Sequence, residues 1–225
     1  MASDSISRRE SNKLRNRGQI LEAARRVFGD VGYEACSIRE VIRESGLAQG
    51  TFYNYYADKE SVMRAIAEDF AERVRAAIRP ARRAAADQMT FLHDSFLATF
   101  EVMAENPGDL KVLARNRDVL RRMIFDGPVG AIYQELAEDL REGVKKGFFP
   151  PHPADTTARL MVALGFEVLI MTADEGEIDL NQAAKYLALL FMGGLDKVSG
   201  PFKTEARLRA KTKSGTRSAT GRTPR

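Results

Sequence analysis

Residues 37–56 read SIREVIRESGLAQGTFYNYY, and this stretch decides the fold. Ser37 and Glu40 have the capping-box spacing that starts a helix. That helix is predicted to end at Gly46, and a second short helix to follow from about residue 49 to 55. Two short helices joined by a tight, glycine-containing turn form a helix-turn-helix, a motif that lays its second helix in the DNA major groove.

The second helix offers polar groups away from the core. Phe52 and Tyr56 stand four residues apart and are expected to pack inward. Gly50 removes a side chain near the helix start, where backbone amides can approach a phosphate. The remaining polar side chains can bond base edges or phosphates; they are Gln49, Thr51, Tyr53, Asn54 and Tyr55.

Basic residues on both sides extend this candidate DNA surface. Lys59, one turn further on, is interpreted as a phosphate contact. Residues 1–19 hold five basic and two acidic residues, a net charge of +3. We interpret them as a flexible arm whose Arg15 and Arg17 follow the DNA backbone or enter the minor groove. Each of these side chains has a simpler reading as a solvated surface residue.

Helical apolar spacing runs through nearly the whole chain, and no segment alternates as a strand would. The expected fold is all-α, with about nine helices forming a three-helix head and a larger bundle. Bundle helices are predicted at 88–105, 109–124, 128–146, 155–174 and 180–198. The predicted domains are an arm (1–19), a helix-turn-helix domain (20–60), a ligand-binding and dimerisation domain (61–200) and a basic disordered tail (201–225).

Residues 20–66 resemble the N-terminal DNA-binding domain of the TetR family of transcriptional regulators. The resemblance is carried by Ile20-Leu21, Ala23-Ala24, Phe28, Gly32-Tyr33, Ser37-Ile38, Ile42, Gly46-Leu47, Gly50-Thr51-Phe52-Tyr53, Tyr55-Tyr56 and Lys59-Glu60. It implies a homodimer with two heads on a double-stranded operator, and a bundle whose small-molecule ligand releases the DNA. The implied role is therefore a repressor, acting in the cytoplasm.

The resemblance also assigns roles to residues of the head. It implies phosphate contacts from Ser37, Gly50, Tyr55 and Lys59. Base-edge contacts are implied for Gln49, Thr51, Tyr53 and Asn54. Gln49 replaces a lysine that is frequent in the family, and Tyr55 replaces a frequent histidine, so the base preference does not follow from the sequence.

Two late helices are candidates for dimerisation, because the family pairs its last two helices with those of a second copy. The residues expected at that interface are Leu160, Leu164, Met171, Leu187, Phe191 and Leu195. Burial of these faces within one subunit is the alternative. A two-fold interface is the commonest solution among oligomers.

An apolar or mixed effector is expected among the middle helices. Its candidate contacts are Phe91, Phe96, Phe100, Met103, Phe125 and Phe166, with Arg121 and Glu167 as polar groups. Aromatic residues at helical spacing are more often ordinary core, so this alternative stays open.

Composition excludes several other functions. A single cysteine, Cys36, forbids an internal disulfide and any multi-cysteine metal centre. The sequence contains no phosphate-binding glycine loop, nucleophile elbow or HExxH motif, and no cofactor or metal is expected, so an enzyme is not predicted. No apolar run of about 18 residues or secretory signal is apparent, so no membrane span is expected.

The net charge of +4 is unevenly distributed and leaves two alternatives open. Residues 203–225 carry eight basic residues against one acidic residue, so the chain between the two ends is acidic. A tail of this kind can bind DNA without sequence preference. One alternative to a repressor is therefore a non-specific DNA binder acting through its tails. The other is a helical protein that binds only a small ligand.

Overall fold

The computed structural model describes residues 2–125, 130–175 and 178–195, and within them the fold is all-α as expected. The described residues form ten helices and no strand. The helices are α1 (Ala2–Asp30), α2 (Ile38–Ser45), α3 (Gln49–Tyr53), α4 (Lys59–Ala84), α5 (Gln88–Ala104), α6 (Pro107–Arg115), α7 (Arg117–Phe125), α8 (Ala131–Lys145), α9 (Ala154–Glu175) and α10 (Leu180–Leu195).

Helices α1 to α3 form the head around a small apolar core. Phe28 of α1, Val41 of α2 and Phe52 of α3 are fully buried in it. Gly46 ends α2 in the left-handed conformation, with φ of 67°. A side chain there would be strained, so glycine permits the tight turn that sets α3 against α2.

The bundle is built on α4 and α5. Asp58 caps α4 by accepting a hydrogen bond of 2.7 Å from the amide of Ser61. Asp87 caps α5 in the same way, through the amide of Thr90. Helix α5 packs between α4 and α10, α8 packs on α9, and α6 lies between α1 of the head and α9 of the bundle.

Two parts of the chain differ from the prediction. Residues 2–19 belong to α1 and are not a flexible arm. This segment has no proline or glycine before Gly18, so the helix can continue through it. The predicted helix 109–124 is divided into α6 and α7 at Asn116, whose side chain bonds to the head. The predicted tail, 201–225, and the side chain of Leu195 lie outside the described residues.

Helix α9 is more apolar than the sequence analysis expects, since that analysis finds no segment able to span a membrane. Over Ala154–Asp174 its mean hydropathy of 1.4 and its length would allow it to cross a membrane. In the fold it packs against α8, α6 and α5. Its outer side keeps Leu160 and Met171 exposed. The composition of α9 is thus explained by an apolar inner side and a second, uncovered apolar side.

Candidate DNA interface and ligand cavity

The recognition helix α3 presents the side chains that the sequence selects. Gln49, Gly50, Tyr53 and Asn54 are exposed, and Thr51 is half-buried. Phe52 anchors the helix from below, with the ring of Tyr53 edge-on to it at 5.6 Å. Three of the four predicted base-edge residues, Gln49, Tyr53 and Asn54, are therefore accessible from outside the head, and Thr51 is partly so.

Ser37 is exposed at the start of α2, but its hydrogen-bond donors are directed to Glu40. The Glu40 carboxylate accepts from the Ser37 amide at 2.7 Å and from its hydroxyl at 3.0 Å. These bonds lower the pKa of Glu40. A phosphate contact by Ser37 therefore requires its hydroxyl to turn away from Glu40.

The end of the recognition helix is clamped to α1. The Asn16 amide donates to the Tyr55 hydroxyl at 3.4 Å, and Arg17 Nε donates to the Tyr56 hydroxyl at 3.3 Å. The bond from Tyr56 raises the pKa of Arg17. Tyr55 accepts in this pair, so its own proton stays available for a phosphate. Arg15 is exposed and lies about 200° around α1 from Arg17 of this clamp, so its predicted DNA contact would come from another side of the helix.

Lys59 forms bonds inside the head, a role that the sequence analysis did not predict; its phosphate contact stays a prediction. Its ammonium donates to the carbonyl oxygens of Tyr33 at 2.7 Å and Cys36 at 3.1 Å. It also lies 4.5 Å from the centre of the Tyr33 ring. These bonds close the loop between α1 and α2. A lysine in this pattern is therefore explained by loop closure.

Cys36 is buried beneath the same loop. Burial raises the pKa of its thiol. A protonated, covered thiol is a small apolar residue and not a nucleophile.

Two narrow apolar cavities lie between α4, α5, α8 and α9 and share one wall. The shared residues are Phe70, Ile132, Val162 and Phe166. The first cavity continues along α6 and α7, past Met103, Val112 and Leu120. The second ends on Phe96 and on the polar groups Arg82, Ser95 and Thr99.

Only part of the predicted effector set borders these cavities. Phe96, Met103 and Phe166 do so. Phe91 instead packs edge-on against Phe149, and Phe100 is fully buried against Phe96.

The other three predicted contacts do not border these two cavities either. Phe125 lies beneath the Arg159 guanidinium, 4.5 Å from it, and Arg121 and Glu167 are exposed. Helical spacing identifies an inward face, but it does not separate close-packed core from cavity wall.

Arg82 is a cavity residue that the sequence analysis missed. Its side chain is 9% exposed, and burial lowers the pKa of its guanidinium. Nε donates to Ser95 Oγ at 3.1 Å, and Nη1 donates to Asp139 at 2.9 Å. The sequence could have identified Arg82 as an inward residue, because it follows Ile78 by four positions on the apolar stripe of α4. A polar residue on such a stripe must find partners in the interior.

Sequence reasoning also missed the polar connection between head and bundle. Asp109, on the first turn of α6, is 4% exposed. It accepts from Arg25 Nε at 2.8 Å and forms an ion pair with Arg73. Arg25 comes from the head and Arg73 from α4, so three helices meet at one carboxylate. Burial by itself lowers the pKa of Arg25, but the combined attraction of Asp109, Asp69 and Glu22 outweighs it, so the pKa is raised.

Asn116 makes a second connection between α6 and the head. Its amide donates to the carbonyl oxygens of Phe28 at 2.9 Å and Val112 at 2.8 Å. Its side-chain oxygen accepts from the Tyr33 amide at 2.6 Å. Asn116 thereby caps the end of α1 from within the bundle, which explains why the predicted helix 109–124 breaks at this residue.

The dimerisation prediction needs correction on α10. Leu187 and Phe191 are buried within one subunit, where Phe191 stacks on Phe96 at 5.9 Å. On α9, Leu160 and Met171 are exposed and Leu164 is half-buried. The large apolar residues of α10 that are exposed instead are Tyr186, Leu189 and Leu190. Dimerisation through α9 and α10 stays a prediction, and on α10 it is this exposed side that is available for it.

Comparison with known proteins identifies the head. Residues 20–66 match the family model described as bacterial regulatory proteins, tetR family. The head is a TetR-family DNA-binding domain. The chain is a DNA-binding transcriptional regulator, and α2–α3 is the family's helix-turn-helix. The match covers the head, including every base-edge candidate on α3.

Similarity to known proteins continues beyond the head, over most of the chain. The transcriptional repressor KstR2 of Mycobacterium tuberculosis is 21% identical over 189 residues, which cover 80% of this chain and 93% of KstR2. The fatty acid degradation regulator FadR of Bacillus halodurans is 25% identical, with a TM-score of 0.68, over 80% of this chain and 95% of FadR. FadR of Bacillus subtilis, solved with stearoyl-CoA, is 18% identical with a TM-score of 0.67, over 78% and 97%.

Replacing Lys59 with methionine is expected to destabilise the protein by about 1–3 kcal/mol, because buried loop carbonyls lose their donor. Urea denaturation measures this change. Lys146, an exposed lysine paired with Glu142 in adjacent turns, provides the matched control. Lys146→Met is expected to cost less than about 0.5 kcal/mol. A Lys59→Met protein of normal stability with weakened DNA binding would support the phosphate interpretation.

Proposed function

We propose that this protein is a dimeric repressor, released from its operator when an apolar small molecule enters the bundle cavities. One observation carries the proposal: α6 borders the first cavity and also holds the head, through Asp109 and Asn116. A ligand that displaces α6 must therefore act on the position of the head. Because its target is DNA, we place the protein in the cytoplasm, and we assign it no enzymatic role.

The operator is read by the outward side of α3. Tyr53 is the most prominent candidate, because it is 45% exposed and its ring is held edge-on by Phe52. Gln49, Thr51 and Asn54 carry amide and hydroxyl groups suited to base edges. Tyr55 supplies a phosphate contact beside them.

A second copy of the chain is proposed to cover the apolar outer sides of α9 and α10. Leu189 and Leu190 are each about half exposed, at 51% and 50%, and Leu160 is 50% exposed. Tyr186 adds an aromatic ring at 67% exposure. A patch of this kind marks a protein interface, and a two-fold interface is self-complementary. A dimer with two heads predicts an inverted-repeat operator.

The effector is proposed to contain an acyl chain or a similar apolar body. Both cavities are lined almost entirely by apolar side chains, and only the second has a buried cation, Arg82. The structural neighbour that binds stearoyl-CoA supports this class of ligand. Arg82 and Ser95 would then face a polar group at the end of the chain.

Tyr53→Ala is expected to remove operator discrimination, since the loss of one base-edge contact costs about 1–3 kcal/mol of specificity. The measurement is hydroxyl-radical footprinting on the promoter of the protein's own gene, with deletion of residues 203–225 as the control. The deletion should leave a footprint with two symmetric half-sites. DNA binding in a gel shift that shows no preferred site, survives Tyr53→Ala and disappears with the deletion would favour the non-specific tail-driven binder. The absence of any footprint would favour a protein that binds only a small ligand.

Val162→Trp is expected to prevent release, because Val162 borders both cavities and the larger ring would fill them. Operator occupancy is measured by fluorescence anisotropy while stearoyl-CoA and shorter thioesters are added. Gln134→Trp, on the exposed side of α8, is the matched control and should be released as the wild type is. Equal release of Val162→Trp and Gln134→Trp would place the effector elsewhere. Circular dichroism checks that the overpacked bundle still folds.

A further inference from the structure

Arg9, Lys13 and Arg17 form a basic stripe on α1, of which only Arg17 has a described contact in the head, its bond to Tyr56. These residues are spaced four apart, so they lie above one another on one side of the helix. All three are exposed. Within the described part of the chain, Arg9 and Lys13 form no ion pair, and Glu10 beside them is the only acidic residue of α1 near the stripe.

The clamp at Tyr55 and Tyr56 fixes the direction in which this stripe points. Asn16 and Arg17 bond the end of the recognition helix, at 3.4 Å and 3.3 Å. Arg9 and Lys13 continue the same side of α1 beyond that contact. The helix rises about 1.5 Å per residue, so the stripe from Arg17 to Arg9 reaches about 12 Å past the clamp.

We propose that this stripe is a second DNA-binding surface, which contacts the phosphate backbone next to the groove occupied by α3. The occupant follows from charge and continuity, because the stripe is cationic and its Arg17 bonds Tyr56, which is next to the proposed phosphate contact Tyr55. Because the segment is helical, it holds its charges in fixed positions, whereas a flexible arm does not. The inference rests on the proposed function, since it extends the surface that binds the operator.

The structure supplies a matched control on the same helix. Arg15 is exposed and lies two residues from both Lys13 and Arg17, about 200° around the helix axis. Lys13→Gln and Arg15→Gln therefore remove equal charge at nearly equal height on α1. Long-range electrostatics would affect both variants alike, whereas a phosphate contact distinguishes them.

The test uses the full-length chain and a duplex that the wild-type protein selects from random sequences. Fluorescence anisotropy measures the dissociation constant between low and moderate salt. Each lost phosphate contact lowers the slope of log affinity against log salt by about 0.9. We expect this loss for Lys13→Gln and again for Arg9→Gln, with no change of slope for Arg15→Gln.

Three results are distinguishable. A slope that falls equally for Lys13→Gln and Arg15→Gln, or for neither, overturns the stripe but leaves the repressor proposal intact. Failure of the wild-type chain to select any duplex overturns the proposed function itself. A lower slope for Lys13→Gln alone, with unchanged preference for the selected sequence, supports a backbone-contacting stripe.

Discussion

The buried carboxylate of Asp109 is the interaction on which the arrangement of head and bundle depends. Two guanidinium groups, from Arg25 of α1 and Arg73 of α4, converge on its oxygens. Asp69 pairs with the same two guanidinium groups but is more exposed, so Asp109 is the buried member that joins α6 to them. Asp109 also lies in the first turn of α6, where the helix dipole favours a negative charge.

One side of α6 makes both kinds of contact. Asp109, Val112 and Leu113, three and four residues apart, border the first apolar cavity. Asp109 also bonds Arg25 of α1, and Asn116, further along the same side, bonds Phe28 and Tyr33. A shift of α6 by a ligand therefore cannot leave both bonds to the head intact. Packed, hydrogen-bonded elements of this kind tend to have discrete arrangements, which is what a repressor needs for release.

The sequence predicted the head far better than the cavity. Capping boxes, Gly46 and the aromatic anchors Phe52 and Tyr56 are local signals, and each acts over a few residues. The cavity depends on which inward side chains leave space, so Phe96 borders it while Phe100 one turn later does not. The same limit misassigned Leu187 and Phe191, because both sides of α10 are apolar.

Long-range polar contacts account for most of the remaining errors. Long-range partners, between 23 and 88 positions away, are bonded by Lys59, Asn116 and Asp109. The sequence around each of these residues does not predict such partners. Arg82 gave a weak signal by interrupting the apolar stripe of α4. The helical start of α1 was missed because its basic composition was taken as a sign of flexibility.

Amide hydrogen exchange at Tyr33 tests the central claim most directly, since that amide donates to Asn116 at 2.6 Å. In an Asp109→Asn variant, α6 should loosen from the head, and exchange at Tyr33 should accelerate by at least about tenfold, or 1.4 kcal/mol. Amides in the middle of α9 should keep their wild-type rates. An unchanged rate at Tyr33, or equal acceleration throughout the chain, would contradict a specific connection between α6 and the head.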